Sequence, residues 1–261
     1  MELLMLLQTK LPLLLLLFAR VSGIFSTAPF FSSRNVPVQI KAGLSAVFTF
    51  LLLPLIDNGQ VTSFSFSLWF FAVEVLKEVI IGMTIGFIAS LFFQAVQMSG
   101  QFLDTQIGFG IVNILDVQSG QQMPLMGNFQ YILALLLFLI TDMHHVFIHA
   151  LFDSYRWLPL LGKPAFLNAV DFMVSATANM FVIALQLAMP VIMVTMLSDI
   201  ALGILARTMP QLNIFVVGIP LKIALGIFMM ALAMPAYVYF LRVGFHGLFE
   251  QVYRFLQLAA G

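Results

Sequence analysis

The chain has 261 residues, 62% of them hydrophobic and 8% charged, with a formal net charge of zero and no cysteine. Soluble domains run at about 45–50% and about 25% in those two classes, so the composition is that of a membrane-type protein. The even charge balance offers no basic patch to a phosphate backbone and excludes nucleic acid as a partner. The lack of thiols excludes disulfides, thiolate metal sites, haem attachment and cysteine nucleophiles.

Uncharged stretches run from Val79 to Leu103, Val117 to Thr141, Phe172 to Ser198 and Ile223 to Leu241. About 20 apolar residues cross a bilayer as a helix, so each of these is long enough. At the amino end Lys10 precedes an apolar run, Leu11 to Ala19, followed by Ser22 and Gly23, as in a signal peptide. Arg20, placed straight after the run, is unlike a small-residue cleavage site and predicts a retained first helix. The connection that follows contains Gly23, Pro29, Ser32, Ser33 and Pro37, and its cations Arg20, Arg34 and Lys41 have no acidic neighbour. Positive-inside reasoning places it on the cytoplasmic side. The next apolar stretch, Ala42 to Ile56, is short for a span unless it extends back through Lys41.

Leu68 to Met98 predicts one long helix, interrupted by Glu74, Lys77 and Glu78. Each such charge costs about 2.5–3.5 kcal/mol at the centre of a membrane helix, so lipid is a poor neighbour there. Glu74 and Lys77, three apart, can pair on one face, which leaves Glu78 to find a partner elsewhere. Gly82, Gly86 and Ser90 recur every four residues and form a smooth stripe for a close helix contact, either within the chain or with another subunit.

Gly100 to Gly127 is rich in glycine and glutamine and holds no positive charge. It reads as a mobile functional loop. Gly108 and Gly110 can adopt backbone angles closed to other residues, and Phe109, Ile111, Val112, Ile114 and Leu115 supply apolar bulk. The pattern suggests a hinge that carries a stopper.

Further on, Asp142, His145, His149 and Asp153 are spaced three, four and four, so on a helix they would share a face bearing metal-ligand chemistry, with His144 pointing away. No glutamate sits between histidines as in HExxH, and the reading preferred here is an interfacial helix end with no metal. Phe172 to Ala206 and Phe215 to Leu241 predict a helical hairpin joined by a turn with Arg207, Pro210 and Asn213. Pro190 and Pro235 should kink its arms. Asp199 lies two turns before Arg207, too far for a direct pair at about 1.5 Å per residue. Beyond the hairpin, Arg242, His246, Glu250 and Arg254 oppose Phe245, Leu248, Phe249, Val252, Phe255 and Leu256, an amphipathic helix suited to a membrane surface, a partner's groove or a frayed rim.

No catalytic constellation stands out: Ser119 lacks the GxSxG surround, and Gly108, Gly110 and Asn113 fail the third glycine of a dinucleotide loop. A secondary transporter stays open as an alternative, with buried Glu74, Lys77, Glu78 and Asp199 carrying protons or ions, although inverted repeats are not apparent.

Four segments together resemble the FliR family of flagellar biosynthetic proteins: RVSGIFSTAPFFSSRNVPVQIKAGLS from Arg20, EVIIGMTIGF from Glu78, the Gly100 to Gly127 loop, and ARTMPQLNIFVVGIPLKIALG from Ala206. The last is the most specific, and the resemblance spans nearly the whole chain. It implies an all-α, noncatalytic, cofactor-free subunit of the type III export gate, built from long kinked helices and helical hairpins. FliP and FliQ would join it in one hetero-oligomer around a channel for unfolded flagellar proteins. Residues 1–170 would be FliP-like and include a plug loop at 106–116; residues 171–261 would be a FliQ-like hairpin with the terminal amphipathic helix. The family's complex lies at the flagellar basal body of the bacterial inner membrane, raised largely to the periplasmic side, so apolar segments need not be spans. FlhA, FlhB and an ATPase would supply energy, and lipids would border the assembly. On this resemblance Gly108, Phe109, Gly110, Ile111, Val112, Asn113 and Ile114 form the pore plug, with aliphatic Ile111 and Ile114 where the family often has aromatic residues.

Overall fold

The structure, a computed structural model, describes residues 2–29, 31, 36–56, 68–110, 124–211 and 213–260, and every regular element among them is a helix. In chain order these are α1 (Glu2–Thr27), α2 (Val38–Ile56), α3 (Leu68–Ile107), α4 (Leu125–Ile140), α5 (Met143–Trp157), α6 (Phe166–Thr208) and α7 (Ile214–Ala260). This is the all-α, membrane-type class predicted above. Five helices, α1, α2, α3, α6 and α7, are long and apolar enough to cross a membrane.

The chain forms two compact units, each drawn from separated stretches. The first comprises Met1–Leu91, Met143–Ala176 and Gly247–Gly261. Within it α1 packs on α2, with the Phe25 and Phe48 rings 5.3 Å apart. The buried face of α1, Leu13, Leu16, Leu17, Val21 and Ile24, follows the helical period. Ile81, Ile85, Phe147, Leu151 and Tyr155 are buried in the same unit.

The carboxyl-terminal stretch corrects one expectation. It is the continuation of α7 through Pro220 and Pro235, and its apolar residues Leu248, Phe249, Val252, Phe255 and Leu256 are buried. The Tyr253 hydroxyl donates to Asp153 at 2.8 Å, and the Ala165 amide donates to the Ala259 carbonyl at 2.8 Å. The amphipathic pattern therefore serves the chain's own core, in place of the membrane surface, partner's groove or frayed rim expected above.

The second unit comprises Phe92–Asp142 and Thr177–His246. Its core has an aromatic part, in which the Phe93 ring lies 5.4 Å from Phe138 and 5.8 Å from Phe245, and Phe92 lies 5.4 Å from Phe245. An aliphatic part gathers Leu103 and Ile107 of α3, Ala188 and Val191 of α6, and Met230 of α7. Large apolar side chains remain exposed along one run of α6, including Leu185, Met189, Met193, Met196, Ile200 and Ile204. Such a face suits lipid or partner helices better than water.

Several boundaries differ from expectation: α1 runs on through Gly23 to Thr27, and α2 starts at Val38, so that it extends back through Lys41. Helix α3 continues past Met98 to Ile107, so Gly100 to Ile107 is helix where a loop was read. Of the uncharged stretch from Val117 to Thr141, residues 117–123 lie outside the described residues, and α4 accounts for 16 residues, about 24 Å at helical rise, which is short for a lone span.

Candidate functional site

The glycine-rich segment is anchored within the second unit at both of its described ends. Helix α4 starts after Pro124, which has no side chain able to accept a hydrogen bond, so its first amides lack a local cap. Asp104, buried on α3, fills that role from outside the helix. Its carboxylate accepts from the Met126 amide at 2.9 and 3.1 Å and from the Gly127 amide at 3.1 Å. These are the second and third positions of α4, the ones an N-cap side chain normally serves, and a carboxylate also complements the positive end of the helix dipole. One turn earlier Gly100 meets Gly127 backbone to backbone. A Cβ at Gly100 would collide with Gly127 N and Cα and lie 2.7 Å from the Met126 carbonyl carbon.

At the end of α3 the chain turns at Gly108, whose φ of +99° is a conformation glycine adopts without strain. The Gly108 amide still donates to the Asp104 carbonyl at 3.2 Å. Gly110, by contrast, has no positive φ, and a Cβ there would meet nothing within 4 Å among the described residues. Ile107 is fully buried in the aliphatic cluster, and Phe109 packs against the same cluster, half-buried. Gln106 donates from Nε2 to Asp199 Oδ2 at 3.3 Å, and Lys222 Nζ reaches that same oxygen at 2.8 Å; Asp199, expected as a buried charge, is exposed. The expected plug residues Ile111, Val112, Asn113 and Ile114 lie outside the described residues.

The charged residues of α3 are resolved within the first unit. Glu74 pairs with Lys77, the expected neighbour, and Lys77 also donates to the Gly162 carbonyl at 2.9 Å. Glu78 is fully buried and accepts from Arg20 Nε at 2.6 Å. Arg20 is itself fully buried, donating from Nη1 to the Ser154 and Leu158 carbonyls at 3.0 and 2.8 Å, with its guanidinium 4.3 Å from the centre of the Tyr155 ring. It thus caps the carboxyl end of α5, where a cation meets the negative pole of the helix. These charges form intrachain clasps.

The glycine stripe faces α1. A Cβ at Gly82 would strike the Arg20 carbonyl, and one at Gly86 would strike Thr27 Oγ1 and come within 2.6 Å of the Ile24 carbonyl. Gly23 of α1 answers Gly82 across the contact, 3.2 Å from its Cα by the same measure. Ser90 is buried, and its hydroxyl turns back to the Phe87 carbonyl at 2.8 Å.

The histidine-rich stretch does not assemble as predicted. Helix α5 begins at Met143, leaving Asp142 outside it with a φ of 56°. Asp153 is engaged by Arg156 at 3.2 Å and by the Tyr253 hydroxyl at 2.8 Å, and the His144 ring sits 4.1 Å from that of His145. The expected four-residue face is not one ligand set: the ligand atoms of Asp142 and His145 lie within 4.8 Å of one another and of His144, which was expected to point away, while His149 and Asp153 are not part of that group.

Sequence reasoning missed Asp104 as a cap, Arg20 as the partner of Glu78, and Lys222 as the partner of Asp199. For Arg20 a signal existed: it stands four residues after Leu16 and four before Ile24, inside an apolar helical stripe, where a cation must have company. For Asp104 the signal was the helix start at Pro124 without an acceptor of its own.

Comparison with known proteins identifies the relatives. The model of the family "Bacterial export proteins, family 1" matches residues 11–248. The flagellar biosynthetic protein FliR of Bacillus subtilis is 38% identical, covering 85% of this chain and 86% of the relative. That of Escherichia coli is 37% identical over 83% of this chain and 82% of its own length. That of Aquifex aeolicus is 26% identical, but over 94% and 93%.

Proposed function

From the premise that this chain belongs to family 1 of the bacterial export proteins, and within it to the flagellar biosynthetic protein FliR family, and is a membrane-type component of the flagellar export apparatus, we propose that it is a nonenzymatic subunit of the type III export gate. In this reading FliP and FliQ join it in one hetero-oligomer of the bacterial inner membrane at the flagellar basal body. Residues 1–170 contribute a FliP-like part and residues 171–261 a FliQ-like one. Unfolded flagellar proteins pass through the shared channel, with FlhA and FlhB acting beside it. The segment around Phe109, with Ile111, Val112 and Ile114, plugs the resting pore. Closure by an apolar constriction needs no binding site for ions, because a narrow apolar gap excludes water and the ions that travel with it.

The observation that best supports this reading is the anchoring of the glycine-rich segment. Asp104 and the Gly100–Gly127 contact fix its two ends to each other, while Gly108 turns the chain between them. A loop held firmly at its base can move at its tip without loosening the helices that carry it. The exposed apolar run of α6 supports a chain that is complete only among partners or lipid. The paired state of Glu74, Lys77, Glu78 and Asp199 supports structural roles for them over ion transport.

The test has two parts. Gentle extraction of the tagged chain from native membranes, followed by mass spectrometry of the intact complex, should recover FliP and FliQ with it; a monomer or homodimer alone would refute the gate assignment. Deleting residues 109–114 should raise ion leak through the assembled gate, and unchanged conductance would refute the plug.

A further inference from the structure

The polar contacts at the end of α3 divide into two kinds. Asp104 ties α3 to the start of α4, a contact explained by capping. Gln106 ties it to Asp199 of α6, a contact with no such local need: Gln106 is half-buried near the last turn of α3, where its amide has access to water. Asp199 already has a cation in Lys222, and both donors converge on one oxygen, Oδ2. The pair joins the ends of two uncharged runs, Asp199 directly after Phe172 to Ser198 on α6 and Lys222 directly before Ile223 to Leu241 on α7. Breaking it would leave a charge at the edge of an apolar hairpin.

The geometry points to Asp199 as a positioning residue for Gly108, Phe109 and Gly110, acting through Gln106; this rests on the gate reading above. Gln106 precedes the Gly108 turn by two residues, and Ile107 between them is locked into the cluster with Ala188, Val191 and Met230. Ile107 thus fixes one side of the helix end by burial, and Gln106 fixes the other by a charge-assisted hydrogen bond. Because Lys222 and Gln106 share one oxygen, a rearrangement that draws Asp199 toward or away from Lys222 also moves the acceptor that Gln106 uses. Any shift of α6 against α7 is thereby transmitted to the residue that starts the turn. The tether links the two-helix arm of the second unit to the base of the segment assigned as the plug.

The absence of native cysteine allows a single-site probe. A nitroxide attached through Gly110→Cys sits where a Cβ meets nothing within 4 Å among the described residues, and every comparison below is made against this labelled parent. In the assembly purified with its partners, the mobile fraction of the spin-label spectrum should rise at least threefold on Gln106→Leu, with recovery of the assembly unchanged. Gln106→Glu should free the probe similarly, because an ionised carboxylate has no proton to donate to Asp199. Adding Asp199→Asn to Gln106→Glu should restore the parental spectrum, since donor and acceptor are then exchanged; a merely structural role would not be rescued in this way. Should Gln106→Leu reduce recovery, Gln106→Ser gives the same comparison with a smaller side chain. An unchanged spectrum in the Gln106 variants, or no rescue by the double variant, overturns the tether. Ion leak separates this from the gate reading: a responsive spectrum with leak indifferent to deletion of residues 109–114 sinks the plug and leaves the tether, and the reverse sinks the tether alone.

Discussion

Replacing Arg20 by methionine should be among the most damaging single changes outside the glycine-rich segment. The guanidinium is fully buried and donates to Glu78 at 2.6 Å and to the Ser154 and Leu158 carbonyls at 3.0 and 2.8 Å. Its removal leaves the Glu78 carboxylate buried without a cation, which in other proteins costs about 3–5 kcal/mol. It also strips the charge that meets the carboxyl end of α5, worth roughly 0.3–1 kcal/mol and up to about 2 when partly buried. The pair is not a full fork: Arg20 Nη2 and Glu78 Oε1 find no hydrogen-bond partner among the described residues, which holds the expected loss near the middle of that range, about 4 kcal/mol. Arg20→Lys keeps the charge but cannot serve three separated acceptors with one compact ammonium, so about half the loss should remain. Arg20→Met with Glu78→Leu should be milder than the sum of the single changes by at least about 2 kcal/mol, because the uncompensated charge is gone. Pulse proteolysis of the purified assembly across a urea series in mild detergent gives these differences. If Arg20→Met stays within about 1 kcal/mol of the parent, or if the single losses simply add in the double variant, the buried clasp does not hold the first unit together.

Gly86→Ala sets a helix-propensity gain of about 1 kcal/mol against a Cβ forced onto the backbone of α1, an overpacking loss of about 1–3 kcal/mol, so a net loss near 1 kcal/mol is expected by the same proteolysis. Gly86→Leu should prevent accumulation in membranes altogether, and normal accumulation would contradict the close contact. Asp104→Leu should cost about 2 kcal/mol through two uncapped amides at the start of α4, whereas Asp104→Asn, which keeps an acceptor, should cost less than about 1. Equal losses in the two would show that the carboxylate does not act as a cap. Gly108→Val, at a φ of +99°, should lose about 1–3 kcal/mol, while Gly110→Ala should be neutral; similar behaviour at the two sites would refute the turn assigned to Gly108.

The helical class and the long apolar elements were legible in composition, because bilayer-length apolar runs leave few alternatives. The Glu74–Lys77 pair was legible because spacing along one helix is a local property. Glu78 and Asp199 could be seen to need partners, but the partners lie 58 and 23 residues away, and only the folded chain brings them together. Gly100 to Ile107 reads as loop in the sequence because Gly100, Asp104 and Thr105 are weak helix formers set in a glycine-rich stretch. In the structure Gly100 permits contact with Gly127, and Asp104 is spent on another helix. The terminal amphipathic pattern was read correctly as a two-faced helix, but pattern alone does not say whether the apolar face meets lipid, a partner or the chain itself.

The first unit includes residues from 247 onward, and its ties from Tyr253 to Asp153 and from Ala259 to Ala165 are among those that close it. Translation proceeds in one direction, so α1, α2, the first part of α3, and α5 are all made well before the stretch that completes their packing. During synthesis the nascent chain therefore exposes the apolar faces that Leu248, Val252, Phe255 and Leu256 later cover. Something must shield those faces meanwhile, and the unit should reach its full protease resistance only once the stretch from residue 247 has joined it.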